Sequence, residues 1–125
     1  MDVRRFEQKV WMVVLPGEPQ LRPELALVRK RIADADKTNL VLDLSRVEVV
    51  GSRSLGMLLR LRRLLDEKGR QLILCRARPM TKGIFRVAGL EDTFLFADSK
   101  AEALETLRQL PPPSDESPPA SGKDS

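Results

Sequence analysis

The chain has 125 residues, 42% of them apolar, and a net charge of +4, which suits one domain with a packed core and hardly two. It has no histidine and one cysteine, Cys75. That excludes the commonest general base, the Ser-His-Asp arrangement, most zinc sites, thiolate metal clusters and any intrachain disulfide.

Val3 to Lys9 reads as a weak strand, suited to a sheet edge. Val10 to Leu15 is a continuous apolar run stopped by Pro16-Gly17, the signature of a short buried strand. Pro23 fits the first turn of a helix, where its missing N–H costs nothing. Leu25, Val28 and Ile32 then recur at helical spacing, and the pattern stops near Asp36. Asn39 to Ser45 predicts a second strand, with Leu40, Leu42 and Leu44 alternating against Val41 and Asp43. A long helix is predicted from about Ser52 to Lys68, ended by Gly69 at the position where helices commonly turn left-handed. Gln71 to Cys75 is the next strand. A helix starts at Pro79, runs to Ala88 and stops at Gly89. Phe94-Leu95-Phe96 is a very short apolar piece. Ser99 and Glu102 form a capping box for a last helix, about 100–109, that is expected to bury Ala103, Leu104 and Leu107.

Strands alternating with helices predict an α/β fold, a mixed sheet covered by helices with right-handed crossovers between its parallel strands. Residues 111–125, PPPSDESPPASGKDS, are too polar and proline-rich to offset chain entropy, so they read as a disordered acidic tail after a domain at 1–110. The three acids and one lysine of that tail leave +6 on the body. A basic body fits a solvated surface, nucleic acid, a membrane surface or an acidic protein partner.

No phosphate loop of the GxxxxGK[ST] or GxGxxG type occurs. The adjacent acids Asp66-Glu67 and Glu91-Asp92 point in different directions on a helix and read as solvated charge. Aromatic residues, at 4%, are too few for a base-stacking platform. The expectation is therefore a protein without catalytic residues, bound metal or cofactor. The charged N-terminal stretch MDVRRFEQKV does not read as a signal peptide, and no apolar run approaches the roughly 20 residues that span a bilayer. A cytoplasmic location is expected. Cys75, inside an apolar run, reads as a small buried hydrophobe.

The most informative stretch is 41–65, VLDLSRVEVVGSRSLGMLLRLRRLL. An apolar run ends at Gly51-Ser52 and a leucine-rich helical pattern starts at once. A serine hydroxyl is thereby placed at a strand-to-helix junction, where backbone N–H groups and the helix dipole favour negative charge. At about 100° per residue, Leu55, Leu58, Leu61 and Leu65 form a core-facing stripe flanked by Met57 and Leu64. Ser52, Gly56, Leu59 and Arg63 gather on another side, bordered by Arg60. Two readings fit that strip: an ordinary solvent face, or a contact surface that begins at the serine. Two also fit Ser52: a plain N-cap, or a functional hydroxyl. Gly51 reads as the residue without Cβ that a tight turn often needs.

At these residues the chain resembles the STAS domain family, the anti-sigma factor antagonists. The family pattern is a hydrophobic strand, then Leu-Asp-Leu-Ser, then Asp-Ser-Ser-Gly-Leu-Gly opening a helix rich in leucine and arginine. Here it reads Leu42-Asp43-Leu44-Ser45, then Gly51-Ser52-Arg53-Ser54-Leu55-Gly56. Gly69 to Leu74, Phe85 to Leu90 and Phe94 to Leu104 match later pieces, so the resemblance spans about residues 3–108. It implies a STAS-like (SpoIIAA-like) small mixed β-sheet of four to five strands with about four helices, mainly on one face. It implies an anti-sigma factor antagonist that binds a serine-kinase-type anti-sigma factor, with release by phosphorylation at the position matching Ser52, or less favourably at Ser54. The partner-binding surface it implies comprises Gly51, Ser52, Arg53, Gly56, Leu59, Arg60 and Arg63, on a monomer or weak dimer without specific nucleic-acid binding or membrane insertion. Gly51 stands where the family has Asp, Arg53 where it has the second Ser, and Ser54 where it has Gly. Two alternatives remain: a STAS scaffold that is never phosphorylated, serving a signalling assembly or a lipid or anion transporter, and non-specific nucleic-acid binding by the basic body.

Overall fold

A computed structural model describes residues 9–35 and 37–109. Four strands and four helices alternate: β1 (Lys9–Val14), α1 (Leu21–Asp34), β2 (Thr38–Asp43), α2 (Ser52–Glu67), β3 (Leu72–Cys75), α3 (Pro79–Val87), β4 (Leu95–Ala97) and α4 (Lys100–Gln109). The strands lie in sequence order, β1-β2-β3-β4, and every described pairing is parallel. Most of the further strand expected at Val3 to Lys9 lies outside the described residues, as does the tail at 111–125; Lys9 itself opens β1.

Sheet order and crossover hand together decide where the helices sit. A right-handed crossover repeated along a sequentially ordered sheet puts every crossover helix on the same face. Accordingly α1, α2 and α3 all pack on one face, through Leu25, Leu58 and Phe85 against Leu40, Leu42 and Leu74. Among the described helices only α4, which follows the last strand, covers the other face, setting Ala103 and Leu107 on Val41, Ile73, Cys75 and Ala97. The alternation in β2 is the cause: Leu40 and Leu42 serve one core, Val41 the other. Leu104, expected in the core, is exposed, because α4 presents only a narrow stripe to a short sheet.

The helix ends follow the chemistry of their residues. Gly69 and Gly89 hold φ of +71° and +75°, and the N–H groups of Arg70 and Leu90 reach back to the Leu65 and Phe85 carbonyls at 2.8 Å. These are Schellman closures, which need a residue at ease with positive φ. At α4, Ser99 Oγ accepts the Glu102 N–H at 3.0 Å, while the Glu102 carboxylate takes the Asp98 N–H, one residue earlier than a simple capping box requires. Phe85 packs edge-on against Phe94 and Phe96, with ring centroids 5.4 Å apart in both pairs, which anchors α3 to the β4 side of the core.

Candidate functional site

The loop from β2 to α2 determines where the serine stands. Asp43, at the end of β2, is 2% exposed. Its Oδ1 accepts the Ser45 backbone N–H at 2.8 Å, which turns the chain out of the strand. Its Oδ2 faces the Arg76 guanidinium at 3.5 Å and the Lys100 ammonium at 3.7 Å. Burial alone would raise the Asp43 pKa, but the Ser45 hydrogen bonds and the two cations outweigh it and hold the carboxyl below the ordinary value. Burial, with the Asp43 charge second, pushes the neighbouring Cys75 thiol up. Farther along the loop, Arg78 Nε donates to the Ser45 carbonyl at 2.9 Å. The buried Thr81 hydroxyl donates to the Val47 carbonyl at 2.7 Å. The first turn of α3 thus clamps the segment that delivers Gly51 and Ser52.

From the opposite side comes Glu18, in the loop between β1 and α1. Its Oε2 accepts the Gly51 N–H at 3.0 Å and the Ser54 hydroxyl at 2.7 Å. A carboxylate is thereby fixed at the positive end of α2, whose own first turn carries no acid. Glu18 was invisible as a site residue in the sequence. It lies 33 and 36 residues from its two partners, and only the packing of α1 beside α2 brings it there.

Several expectations change in this geometry. Gly51 is the N-cap, with ordinary extended backbone (φ −73°, ψ 166°), and a Cβ added there would meet Glu18 Oε2 at an unstrained 3.5 Å. No turn demands a glycine at this position. Ser52 is not the cap. It is the first helical residue, exposed, and its hydroxyl makes no capping hydrogen bond. Ser54 faces the core side, fully buried, with its hydroxyl donated to Glu18. It replaces Leu55 in the core-facing stripe with Leu58, Leu61 and Leu65, while Leu55 is only half-buried. Of the two candidate hydroxyls, Ser52 alone is open to solvent.

The strip predicted along α2 divides in two. Leu59 is half-buried and packs against the core, so it is not a stray exposed leucine. Arg63 is exposed but lies away from the concave part of the surface. Ser52, Arg53, Gly56 and Arg60 line a shallow groove of about 420 Å³ together with Arg22 of α1 and Met57. A contiguous hollow of about 370 Å³ adds Glu18, Gly51 and Ser54 to Arg22, Ser52 and Arg53. Gly56 forms a bare floor, with nothing within 4 Å of where a Cβ would stand. Arg22 and Met57 belong to the site although the sequence did not point to them. Met57 is on α2 itself, and Arg22 is brought to it by the packing of α1 against α2.

A parallel sheet takes small ligands in the crevice where its strand order reverses, and the described order has no reversal. No group of acids and thiols suited to a metal ion exists among the described residues. No described helix is long and apolar enough to cross a membrane. What the fold offers instead is an accessible serine at a helix N-terminus, beside a carboxylate and above an arginine-lined groove.

Fold and site define a small parallel α/β domain with an exposed serine and a shallow arginine-lined groove at the start of α2. The STAS domain model matches residues 4–103, and the chain belongs to the STAS domain family. A curated relative in Bordetella bronchiseptica, BtrV, named as an anti-sigma factor antagonist, is 28% identical over 93 residues, covering 74% of this chain and 77% of its own. Among solved structures, an anti-sigma-factor antagonist (STAS) domain protein of Planctomyces limnophilus superposes with a TM-score of 0.67 at 20% identity, over 76% of this chain and 88% of that one. The anti-sigma factor antagonist SpoIIAA in its unphosphorylated form superposes with a TM-score of 0.63 at 20% identity, over 83% and 92%. Both share the α/β architecture described above.

Proposed function

We propose that this protein is an anti-sigma factor antagonist that binds a serine-kinase-type anti-sigma factor through the start of α2 and is released when Ser52 is phosphorylated. The observation that carries this reading is the contrast between two serines two residues apart. Ser54 is buried and bonded to Glu18, whereas Ser52 is exposed at the first helical position with an uncapped hydroxyl. The family membership and the name of the Bordetella relative support it.

The proposed switch has a simple physical basis. A phosphate adds about −1.5 to −2 charges at pH 7. At Ser52 it would stand within the surface that a partner has to cover, beside the Glu18 carboxylate and the guanidinium groups of Arg22 and Arg53. Gly51 supplies no acid at the helix start, but Glu18 does, so the negative group beside the acceptor hydroxyl is retained from another part of the chain. The test pairs Ser52→Asp with Ser52→Ala against a kinase-type anti-sigma factor. Asp weakens the complex strongly and Ala leaves it intact; equal affinities would refute the switch. Intact-mass spectrometry after incubation with that kinase and ATP separates this reading from a scaffold that is never phosphorylated, which would stay unmodified.

A further inference from the structure

Arg22, Arg53 and Arg60 converge on one groove, and none of the three is ion-paired among the described residues. Arg62, Arg78 and Arg86 are paired, with Asp66, Glu48 and Glu91, while Arg29, Lys30, Lys37, Arg46 and Arg63 are exposed without an ion pair among the described residues, but they do not share a groove. Two of the three groove arginines also occupy poor positions. Arg22 lies in the first turn of α1 and Arg53 in the first turn of α2, where the helix dipole disfavours positive charge. The acid beside them, Glu18, is engaged by the Gly51 N–H and the Ser54 hydroxyl. Three unpaired guanidinium groups, two of them against the dipole, are a local conflict that an anionic partner resolves.

We infer that the groove between α1 and α2, with Arg22, Arg53 and Arg60 on its walls and Gly56 and Met57 on its floor, docks an acidic segment of a protein partner. This rests on the proposed role of the α2 start as the partner-binding surface, and it adds the chemistry of what binds there. Charge complementarity sets the sign. The floor sets the class: a bare glycine and a methionine admit an apolar side chain between carboxylates, a combination that a protein segment offers and a phosphodiester backbone does not. The groove, at about 420 Å³, matches one or two side chains rather than a duplex. It has no aromatic lining on which bases would stack. None of the large exposed apolar residues that would serve a membrane surface lines the groove: Met80 and Val87 lie on α3, Leu27 on α1 and Val49 in the loop before Gly51.

The same groove gives a charge on Ser52 its mode of action. A phosphate or carboxylate there competes with the partner's acids for the arginines.

The test uses the full chain and a short fluorescein-labelled peptide of glutamates interspersed with leucines. The triple variant Arg22→Glu, Arg53→Glu, Arg60→Glu loses peptide affinity by about tenfold or more, because three exposed charge pairs each contribute a modest amount. A control with the same net charge, Lys30→Glu, Arg86→Glu, Arg108→Glu, changes affinity by less than about twofold. Amide shift changes on titrating the unaltered protein map to Arg22, Ser52, Arg53, Gly56, Met57 and Arg60. Equal losses in both triple variants would show an effect of net charge alone and overturn the inference. So would a duplex DNA or phosphatidylglycerol vesicles competing for these residues at lower concentration than the peptide. The test uses the unphosphorylated chain and a peptide in place of the anti-sigma factor, so its failure is distinguishable from failure of the Ser52 switch.

Discussion

Gly56→Ala separates stability from recognition. Gly56 lies inside the 16-residue helix α2, and an added Cβ there meets no heavy atom within 4 Å. A helix-interior glycine costs about 0.8–1 kcal/mol relative to alanine through backbone entropy. With nothing to clash, the substitution recovers most of that, about 0.5–1 kcal/mol. For a domain of about 100 residues this corresponds to a rise in Tm of roughly 2–8 °C. The same methyl group enters the floor of the Ser52 groove, so partner affinity falls while stability rises. Gly83→Ala is the matched control: it too sits in a helix with nothing within 4 Å, but on α3, and it stabilises without touching binding. The assays are thermal unfolding by circular dichroism and binding to the anti-sigma factor by calorimetry. A destabilised Gly56→Ala would refute the open floor. A stabilised variant with unchanged affinity would remove Gly56 from the contact surface.

Asp43→Asn leaves the Arg76 and Lys100 cations without their buried counter-charge and lowers unfolding free energy by about 1–3 kcal/mol; urea denaturation measures it. Because the folded Asp43 pKa is lowered, its stabilisation is present above the unfolded value near 4 and is lost as pH falls through the folded pKa. Stability of the unaltered chain therefore drops more steeply than that of Asp43→Asn between pH 5 and pH 2, and parallel slopes would contradict the assignment. Glu18→Ala removes the carboxylate from the start of α2 and leaves the buried Ser54 hydroxyl unpaired, at a cost of about 1–2 kcal/mol; an unchanged denaturation midpoint would show that the contact does not contribute. Cys75, fully buried and with its thiol pKa raised, reacts with a disulfide reagent at the rate of unfolding rather than on mixing.

Much of the architecture was legible along the chain because it depends on local periodicity and punctuation. The apolar runs at 10–15, 40–44 and 72–75, the leucine spacing of α2 and the stops at Gly69 and Gly89 each act within a few residues. Sequential β-α-β order together with the right-handed crossover rule then places three helices on one face. Errors arose where neighbours from elsewhere in the chain intervene. Leu104 has the right helical phase but no sheet beneath it. Leu55 yields its place to Ser54, whose hydroxyl is made acceptable in the interior by Glu18, 36 residues away.

The reading of Ser52 divides the same way. Sequence alone put Ser52 at a strand-to-helix junction, because an apolar run ending beside a leucine repeat is a one-dimensional pattern. It had no means of deciding which residue caps the helix. Capping depends on whose oxygen reaches the free N–H groups, and here that oxygen belongs to Glu18. Tertiary structure alone made Ser52 the exposed hydroxyl and Ser54 the buried one. It also brought Arg22 beside Arg53 and Arg60, since a groove between two helices exists only once both are packed on the sheet.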